Sequence, residues 1–297
     1  PLPESALHDA IERLRKPEPE PVIQQLDPAA GQQAGAVGKK DGVILPVQGF
    51  AGGAGSTTFA VNLAWELATV DKKASPSVCL LDLDFQFGSV ATYLDLPRRE
   101  AVYEMLSDVE IMDDEIFKST LLVFNEKVSI LTAPSEILPL DILAAEEIEK
   151  IIDTARRNFD YVIVDMPSTI VQWTEVVLSM SHVYFGMMEL DLRSAQNTLR
   201  LIRALKSEDL PYEKIRYALN RGPKFTDMSG KARAKRLAES LDIDIELHLP
   251  DGGKQVAQTC DHGLPLADTA AKNPLRKEIA KLAASLHEVN RAEATAD

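Results

Sequence analysis

The sequence predicts an α/β fold: a doubly wound, mostly parallel sheet with helices on both faces. Two observations support this prediction. Short, nearly continuous runs of Val, Ile and Leu alternate along the chain with longer segments of helical spacing. Such runs are typical of strands buried on both faces, and the alternation indicates parallel crossover connections. The 297 residues, 45% of them hydrophobic, are enough for a sizeable core.

Seven apolar runs predict the strands, in chain order VILPV at 43–47, SVCLLDL at 77–83, VSILTA at 128–133, YVIVD at 161–165, HVYFGM at 182–187, IRYALN at 215–220 and IELHL at 245–249. The segments around them predict helices at 57–70, 100–106, 113–122, 144–158, 175–179, 192–207, 231–241 and 273–288. In the last helix, Leu275, Ile279, Leu282 and Leu286 form an apolar stripe, which we interpret as core packing.

The first 40 residues differ in composition from the rest of the chain. Leu7, Ile11 and Leu14 have helical spacing, so residues 1–15 are predicted to form a short helix that ends an upstream domain. Residues 16–40 are rich in Pro, Glu, Gln, Gly and Ala, which is typical of a flexible linker. We therefore place the folded domain at 41–290 and a disordered tail at 291–297.

The net charge of −14 limits the classes of partner. It argues against non-specific nucleic-acid binding and against simple electrostatic docking to anionic lipid. One basic segment, KFTDMSGKARAKR at 224–236, is either a local basic patch or a solvated helix face, and we favour the second. Cys79 and Cys260 form no CxxC pair and indicate free thiols in a reducing cytosol.

The stretch GFAGGAGSTT, residues 49–58, joins the first predicted strand to the first predicted helix. Gly52, Gly53 and Gly55 allow the backbone N–H groups to turn inward, where they and the helix N-terminus attract phosphate. Thr57 stands where a P-loop hydroxyl binds Mg²⁺, and Thr58 is placed to donate to a phosphate. The strict P-loop pattern fails twice, however, because its first Gly and its Lys are missing.

Polar residues follow five predicted strands at their carboxyl ends, the edge where parallel sheets bind ligands. They are the Gly-rich loop, Asp82 to Asp84, Asp165, Asn220 with Arg221, and Pro250 with Asp251. Asp165 ends a buried strand, as does the carboxylate that organises Mg²⁺ in P-loop enzymes. A single acid at a strand end is usually a turn former, but five converging polar segments indicate a site.

The loop GGAGSTTFAVNLA resembles the deviant P-loop of the MinD/ParA class. The stretches LLDLDFQFGSVATYLDLP, FDYVIVDMPS, ELDLRSAQNTLRLIRAL and LNR resemble, in this order, the CpaE/TadZ pilus-assembly branch of that class. The resemblance covers about residues 41–290. It implies a P-loop NTPase fold, a homodimer formed around ATP and Mg²⁺, and a role in the Tad/Flp pilus secretion machinery. In this branch a receiver-like domain often precedes the ATPase domain, which agrees with the helix predicted at 1–15.

The resemblance also implies roles for individual residues. Asp84 matches the switch carboxylate that orients the attacking water, and Asp82 matches its neighbour near the metal. Asp165 matches the Walker B acid, so the implied metal ligands are Thr57, Asp82 and Asp165. Asn220 matches a residue that contacts adenine, although a strand-end role is the alternative. The implied nucleotide-binding residues are Gly52, Gly53, Ala54, Gly55, Ser56, Thr57, Thr58, Asn220, Arg221, Pro250 and Asp251.

Two lysines of the family pattern are absent from this chain. Ser56 occupies the Walker lysine position, and Ala51 occupies that of the lysine which reaches across the dimer. Both losses remove positive charge from the site of phosphoryl transfer, where catalysis is mostly electrostatic. We therefore expect weakened ATP binding and slow or absent hydrolysis, unless Arg193 or Arg221 substitutes.

Three functions remain open from the sequence: an ATP-binding dimeric scaffold, an active ATPase switch that cycles between a partner or membrane and the cytosol, and an interaction module with a vestigial nucleotide site. A ParA-like DNA role is weaker because of the negative charge. We expect a cytoplasmic protein that lies at the cell pole near the inner membrane. The acidic, Ala-rich end HEVNRAEATAD makes direct membrane attachment weak or indirect.

Overall fold

The computed structural model describes residues 40–224 and 226–294. The predicted helix at 1–15, nearly all of the predicted linker and the last three residues of the predicted tail lie outside these ranges. Eight strands form one sheet: β1 Val43–Gly49, β2 Val78–Asp82, β3 Leu122–Phe124, β4 Val128–Leu131, β5 Tyr161–Met166, β6 Tyr184–Met188, β7 Ile215–Gly222 and β8 Ile245–Pro250. Their order is β3-β4-β2-β5-β1-β6-β7-β8, and only the β3–β4 pair is antiparallel. The predicted doubly wound, mostly parallel sheet is confirmed.

The α-helices within the described ranges are α1 Ser56–Ala68, α2 Val90–Tyr93, α3 Glu100–Ser107, α4 Asp114–Thr120, α5 Ala145–Asn158, α6 Thr174–Met180, α7 Leu192–Ser207, α8 Met228–Leu241, α9 Lys254–Asp261, α10 Leu266–Thr269 and α11 Pro274–Ala294. Two 3₁₀ turns lie at Val109–Ile111 and Tyr212–Lys214. None of these helices is long and apolar enough to cross a membrane.

The sheet separates two hydrophobic cores, because successive strand residues point to opposite faces. Ile44, Val162 and Val164 pack with apolar residues of α5 to α8 on one face. Leu45 and Ile163 pack with α1 and α11 on the other. The stripe on the last helix joins this second core: Leu275 and Ile279 are buried, and Leu282 and Leu286 are partly buried against it. The core-packing interpretation of the stripe is therefore confirmed.

The prediction of a helix over 113–122 is wrong at its end. Helix α4 stops at Thr120, and Leu122 begins the antiparallel edge strand β3. A tight turn at Asn125 and Glu126, both with positive φ, folds β3 back onto β4. The turn contains no Gly, so this stretch of the sequence lacks a clear hairpin signal.

The predicted start of the disordered tail is also too early. Helix α11 runs to Ala294 and therefore takes in residues 291–294. The residues Arg, Ala, Glu and Ala at these positions are strong helix formers, so they extend the helix beyond its packed stripe.

Candidate functional site

The segment between β1 and α1 is a tight turn, residues 50–55, called the phosphate loop below. Gly53 and Gly55 have φ angles of 79° and 89°, a left-handed conformation that residues with a Cβ rarely adopt. A Cβ on Gly55 would also lie 2.4 Å from the side-chain nitrogen of Asn220. Only glycine therefore fits at the point where the turn enters α1. A turn of this kind at a helix N-terminus suits phosphate oxygens.

Two asparagine side chains from other elements brace the phosphate loop. Asn197 on α7 donates to the carbonyl oxygen of Phe50 at 2.8 Å, and Asn220 at the end of β7 donates to that of Ala54, also at 2.8 Å. The loop shape is thus held by tertiary contacts as well as by its glycines.

Asp82 and Asp165 lie side by side, because the register of β2 and β5 pairs Asp82, the last residue of β2, with Asp165, one residue before the end of β5. Both are buried, with 0% and 2% of their surface exposed. The hydroxyl of Thr57, in the first turn of α1, donates to one oxygen of Asp165 at 2.7 Å. The other Asp165 oxygen is buried and has no hydrogen-bond partner among the described residues. The structure therefore brings together the three predicted metal-binding residues.

Burial raises the pKa of both carboxyl groups. The pKa of Asp82 rises to about 7, chiefly through loss of solvation, even though the backbone N–H of Val90 donates to it at 3.1 Å. The pKa of Asp165 also rises, first through burial and then through the neighbouring charge of Asp82. Two buried acids without a compensating cation are costly to ionise, so this pair favours a bound cation.

The residues at this point fit Mg²⁺ bound together with phosphates. Mg²⁺ prefers carboxylate and hydroxyl oxygens, and it takes one or two carboxylates plus phosphate oxygens rather than a cage of protein ligands. In the described ranges no group of three or more His, Cys, Asp or Glu side chains could hold a metal by itself. The unpartnered oxygen of Asp165 and the hydroxyl of Thr57 would instead complete a shell around a phosphate-bound ion.

Asp84 lies in the segment after β2, residues 83–89, called the switch segment below. One of its oxygens accepts the backbone N–H groups of Gln86 and Phe87 at 3.3 and 3.0 Å. Its side chain is therefore folded into the local turn, with the exposed ring of Phe87 next to it. Any movement of the Asp84 carboxylate toward a ligand would release these two N–H groups.

Sequence reasoning missed Arg98, which ties the switch segment to the segment after β4. Its guanidinium donates to the carbonyl of Gly88 at 2.5 Å and to those of Ala133 and Pro134 at 3.2 and 2.9 Å. Gly88 is itself confined, because a Cβ there would lie 2.5 Å from Asp82. Arg98 thus acts on the acids through the backbone around them, and its charge also acts to lower the pKa of Asp82. The motif YLDLPRR does not predict this role for Arg98, because the guanidinium binds backbone carbonyls of residues that are distant in sequence.

We expect Arg98→Met to loosen the switch segment. Losing a charged donor from its acceptors should lower the free energy of unfolding by about 1.5–3 kcal/mol. Arg98→Lys should recover part of this loss, because it keeps a cation. Arg99→Met is the matched control, since the guanidinium of Arg99 donates to the carbonyl of Ser119 rather than to the switch segment. Urea denaturation of the four proteins measures the effect, and equal losses in both Met variants would contradict it.

A cavity of about 380 Å³ opens beside the phosphate loop. This volume is within the range of small-molecule sites. Its apolar floor is formed by Leu249, Val256, Leu275 and Ile279. The predicted residues that line it are Gly55, Thr58, Asn220, Arg221 and Asp251. Tyr93 and Cys260 also line it and were not predicted, because their helices, α2 and α9, are too short for a periodic signal.

The predicted residues Asn220, Asp251 and Pro250 differ in the contacts they make. The side-chain oxygen of Asn220 accepts the backbone N–H of Arg221 at 2.9 Å, so both ends of its amide are engaged in the protein. Asp251 is exposed and accepts the N–H of Gly253 at 2.8 Å. Pro250 does not line the 380 Å³ cavity; it lines a separate one beside β8.

The two positions of the missing lysines are close to the loop backbone. Ala51 is buried, with 5% of its surface exposed, and Ser56 is half-buried at the start of α1. Of the two candidate replacement cations, Arg221 donates to the carbonyl of Gly53 at 3.3 Å and pairs with Glu189. Arg193 pairs instead with Asp191, 3.5 Å away, at the start of α7. Arg221 is therefore the cation that contacts the phosphate loop.

Thr57→Val is expected to damage the acid pair directly. The change removes the hydroxyl and leaves both oxygens of Asp165 without a hydrogen-bond donor among the described residues. We expect the free energy of unfolding to fall by about 1–3 kcal/mol. Thr57→Ser keeps the hydroxyl and should stay close to the parent protein. Chemical denaturation compares the two, and similar losses in both would contradict a specific role of the hydroxyl.

The sheet order, the phosphate loop and the paired acids at the strand ends define a P-loop NTPase fold of the MinD/ParA type. The chain belongs to the AAA_31 family, described as an AAA domain, whose profile matches residues 42–210.

Several relatives and solved structures are similar to this chain. The septum site-determining protein MinD of Synechocystis sp. is 25% identical over 75% of this chain and 81% of that protein. The sporulation initiation inhibitor protein Soj of Bacillus subtilis is 27% identical over 59% of this chain and 71% of that protein. A ParA family ATPase from Chlorobium tepidum has a TM-score of 0.71 at 19% identity, covering 81% of this chain and 98% of that one. MinD from Pyrococcus horikoshii, complexed with Mg-ADP, has a TM-score of 0.66 at 15% identity, covering 84% and 96%.

Proposed function

We propose that this chain binds ATP with Mg²⁺, dimerises around the nucleotide and acts as a scaffold for Tad/Flp-type pilus assembly, with slow or no hydrolysis of ATP. One observation carries the proposal. The acid–hydroxyl pair of Asp165 and Thr57 is assembled beside a glycine turn, while both lysine positions hold neutral residues. The machinery for holding a nucleotide is present, and the charges that speed its hydrolysis are reduced.

The nucleotide would lie along the carboxyl edge of the sheet. The phosphates would meet the N–H groups of the phosphate loop, and Mg²⁺ would meet Thr57, Asp165 and Asp82. The base would enter the 380 Å³ cavity over its apolar floor, with Asn220 at the wall. Two relatives support this assignment: MinD from Pyrococcus horikoshii is complexed with Mg-ADP, and a Borrelia burgdorferi plasmid partition protein is bound to AMPPNP.

The dimer is supported by the pattern of exposed apolar side chains. Phe87, Ile137, Ile170, Leu192 and Met228 are each more than half exposed, and each follows the carboxyl end of a different strand. They therefore share the edge of the sheet that carries the phosphate loop. A second copy of the chain placed on this edge would cover both the apolar side chains and a bound nucleotide.

The assignment to pilus assembly derives from the stretches DFQFG and YLDLP and the other branch motifs. We place the protein in the cytoplasm at a cell pole, where it would join the secretion machinery through protein contacts. Relatives are known in partner complexes, as the MinC:MinD complex of Aquifex aeolicus illustrates. Fluorescent fusions in cells with and without the Tad genes would test the location; a diffuse signal in both would contradict it.

Titration with fluorescent ATP and Mg²⁺, followed by light scattering of the same samples, tests the proposal. The scaffold requires saturable binding, ATP-dependent dimerisation and little phosphate release. Steady turnover that Asp84→Asn abolishes would favour an active switch instead. If Asp165→Ala and Gly55→Val leave dimerisation and localisation unchanged, the site is vestigial and the chain is an interaction module.

A further inference from the structure

A second cavity, of about 610 Å³, runs along β8 and is called the β8 groove below. Helix α8 contributes Lys235 and Ala238, and β8 contributes Ile245, His248 and Leu249. The groove is thus mainly apolar at its base and carries polar groups on its rim. Neither the phosphate loop nor the paired acids line it, so the proposed nucleotide site does not explain it.

The groove follows a free strand edge. β8 is the last strand of the sheet and pairs only with β7 within the described ranges. Helix α8 packs with the core on one face of the sheet, and α11 packs with the core on the other. Glu278 of α11 also lines the groove, so the groove crosses the edge between the two helices. An unpaired edge with flanking walls is a template for an added strand.

The charges around the groove are unlike those of the whole chain. Two lysines of α8, Lys231 and Lys235, line it together with one carboxylate, Glu278. Lys235 also forms a long, exposed ion pair with Glu239 at 3.8 Å, and Glu278 is bonded to Lys281 at 2.7 Å. Exposed pairs of this kind are weak and leave the lysines able to meet a ligand. The net charge of the protein is −14. An acidic ligand would be repelled by most of this surface and attracted here. The basic segment at 224–236, which we interpreted as a solvated helix face, supplies these lysines.

We propose that the β8 groove binds an extended, acidic peptide segment of a partner protein, which adds to the sheet as a strand beside β8. Its backbone pairs with the free edge of β8. Alternate side chains of an added strand face opposite sides of the sheet, so the acidic residues face α8, where Lys231 and Lys235 lie, while the apolar ones between them face the other side, near Leu249.

The test uses a fluorescein-labelled peptide, Glu-Val-Asp-Ile-Glu-Val-Asp, and fluorescence anisotropy at low salt with the full chain. We expect saturable binding that weakens as salt is added. The double variant Lys231→Glu with Lys235→Glu should weaken binding roughly tenfold or more. Lys72→Glu with Lys73→Glu, an equal charge change in the exposed segment between α1 and β2, should leave it unchanged.

A second probe separates strand addition from simple charge attraction. The same peptide with alternate backbone amides N-methylated keeps every side chain but cannot pair along one edge. Equal binding of both peptides, or no saturable binding up to about 1 mM, would overturn the proposal. So would competition of the peptide with self-association of the chain, because the groove would then hold a second copy.

Discussion

Asp165→Asn is expected to stabilise the nucleotide-free protein and to abolish Mg²⁺-dependent nucleotide binding. The change replaces one of two adjacent buried acids by a neutral side chain of the same shape, and its oxygen can still accept the Thr57 hydroxyl. The cost of burying a charge at position 165, and the repulsion between it and Asp82, which together raise its pKa, both disappear. A gain in stability joined to a loss of function is typical of a strained functional site.

The pH dependence follows from the direction of the pKa shifts. Burial raises the pKa of Asp82 to about 7 and that of Asp165 in the same direction, whereas an unfolded aspartate titrates near 4. The folded chain therefore holds protons that the unfolded chain has released. The free energy of unfolding falls as the pH rises from about 4 to about 7, by up to about 1.4 kcal/mol per pH unit and proton.

Denaturation at several pH values measures this effect. Asp165→Asn should make the free energy of unfolding depend less on pH between about pH 4 and 7. It should also raise this free energy by about 1–3 kcal/mol at pH 8. Asp160→Asn is the control, and its effect on stability should have the opposite sign. Lys40 and Ser77 donate hydrogen bonds to the Asp160 carboxylate and lower its pKa. That variant should lose stability above about pH 4. If Asp165→Asn destabilises the protein at pH 8 as Asp160→Asn does, the paired acids are not a source of strain.

Ser56→Lys is expected to strengthen ATP binding and to raise the rate of hydrolysis. The side chain at position 56 opens α1 directly after the phosphate loop, so a lysine there returns a cation to the region of the transferred phosphate. Removing a single preorganised donor from such a site typically costs 10²–10³ in rate, and we expect a gain of roughly that size.

Two further variants identify the source of the gain. Ser56→Met has nearly the length of lysine without its charge, so it should leave hydrolysis at the parent level. Asp84→Asn placed in the Ser56→Lys protein should remove the gain if Asp84 orients the attacking water. Phosphate release under single-turnover conditions is the measurement. A rate that does not change in Ser56→Lys would show that a cation at position 56 is not sufficient, for example because the charge at Ala51 is also missing.

Much of the fold could be predicted from the sequence. Buried parallel strands such as YVIVD require apolar residues at every position, and this pattern is strong because it is repeated seven times. The order of elements then places all strand ends on one edge, which is why Asp82 and Asp165 could be grouped before their contact was known. The misplaced end of α4 and the undetected strand β3 show the limit, since a three-residue strand has no periodicity to detect.

The sequence by itself determined the class of the fold, the phosphate loop and the acids, because each depends on local residue types and on spacing along the chain. Only the tertiary structure decided which groups meet: Thr57 with Asp165, Arg98 with the carbonyl of Gly88, and Asn220 with the phosphate loop. These contacts join residues of different elements, and several end on backbone carbonyls that every residue carries. Their partners are selected by the packing of helices on the sheet, which no local pattern of side chains along the chain reveals.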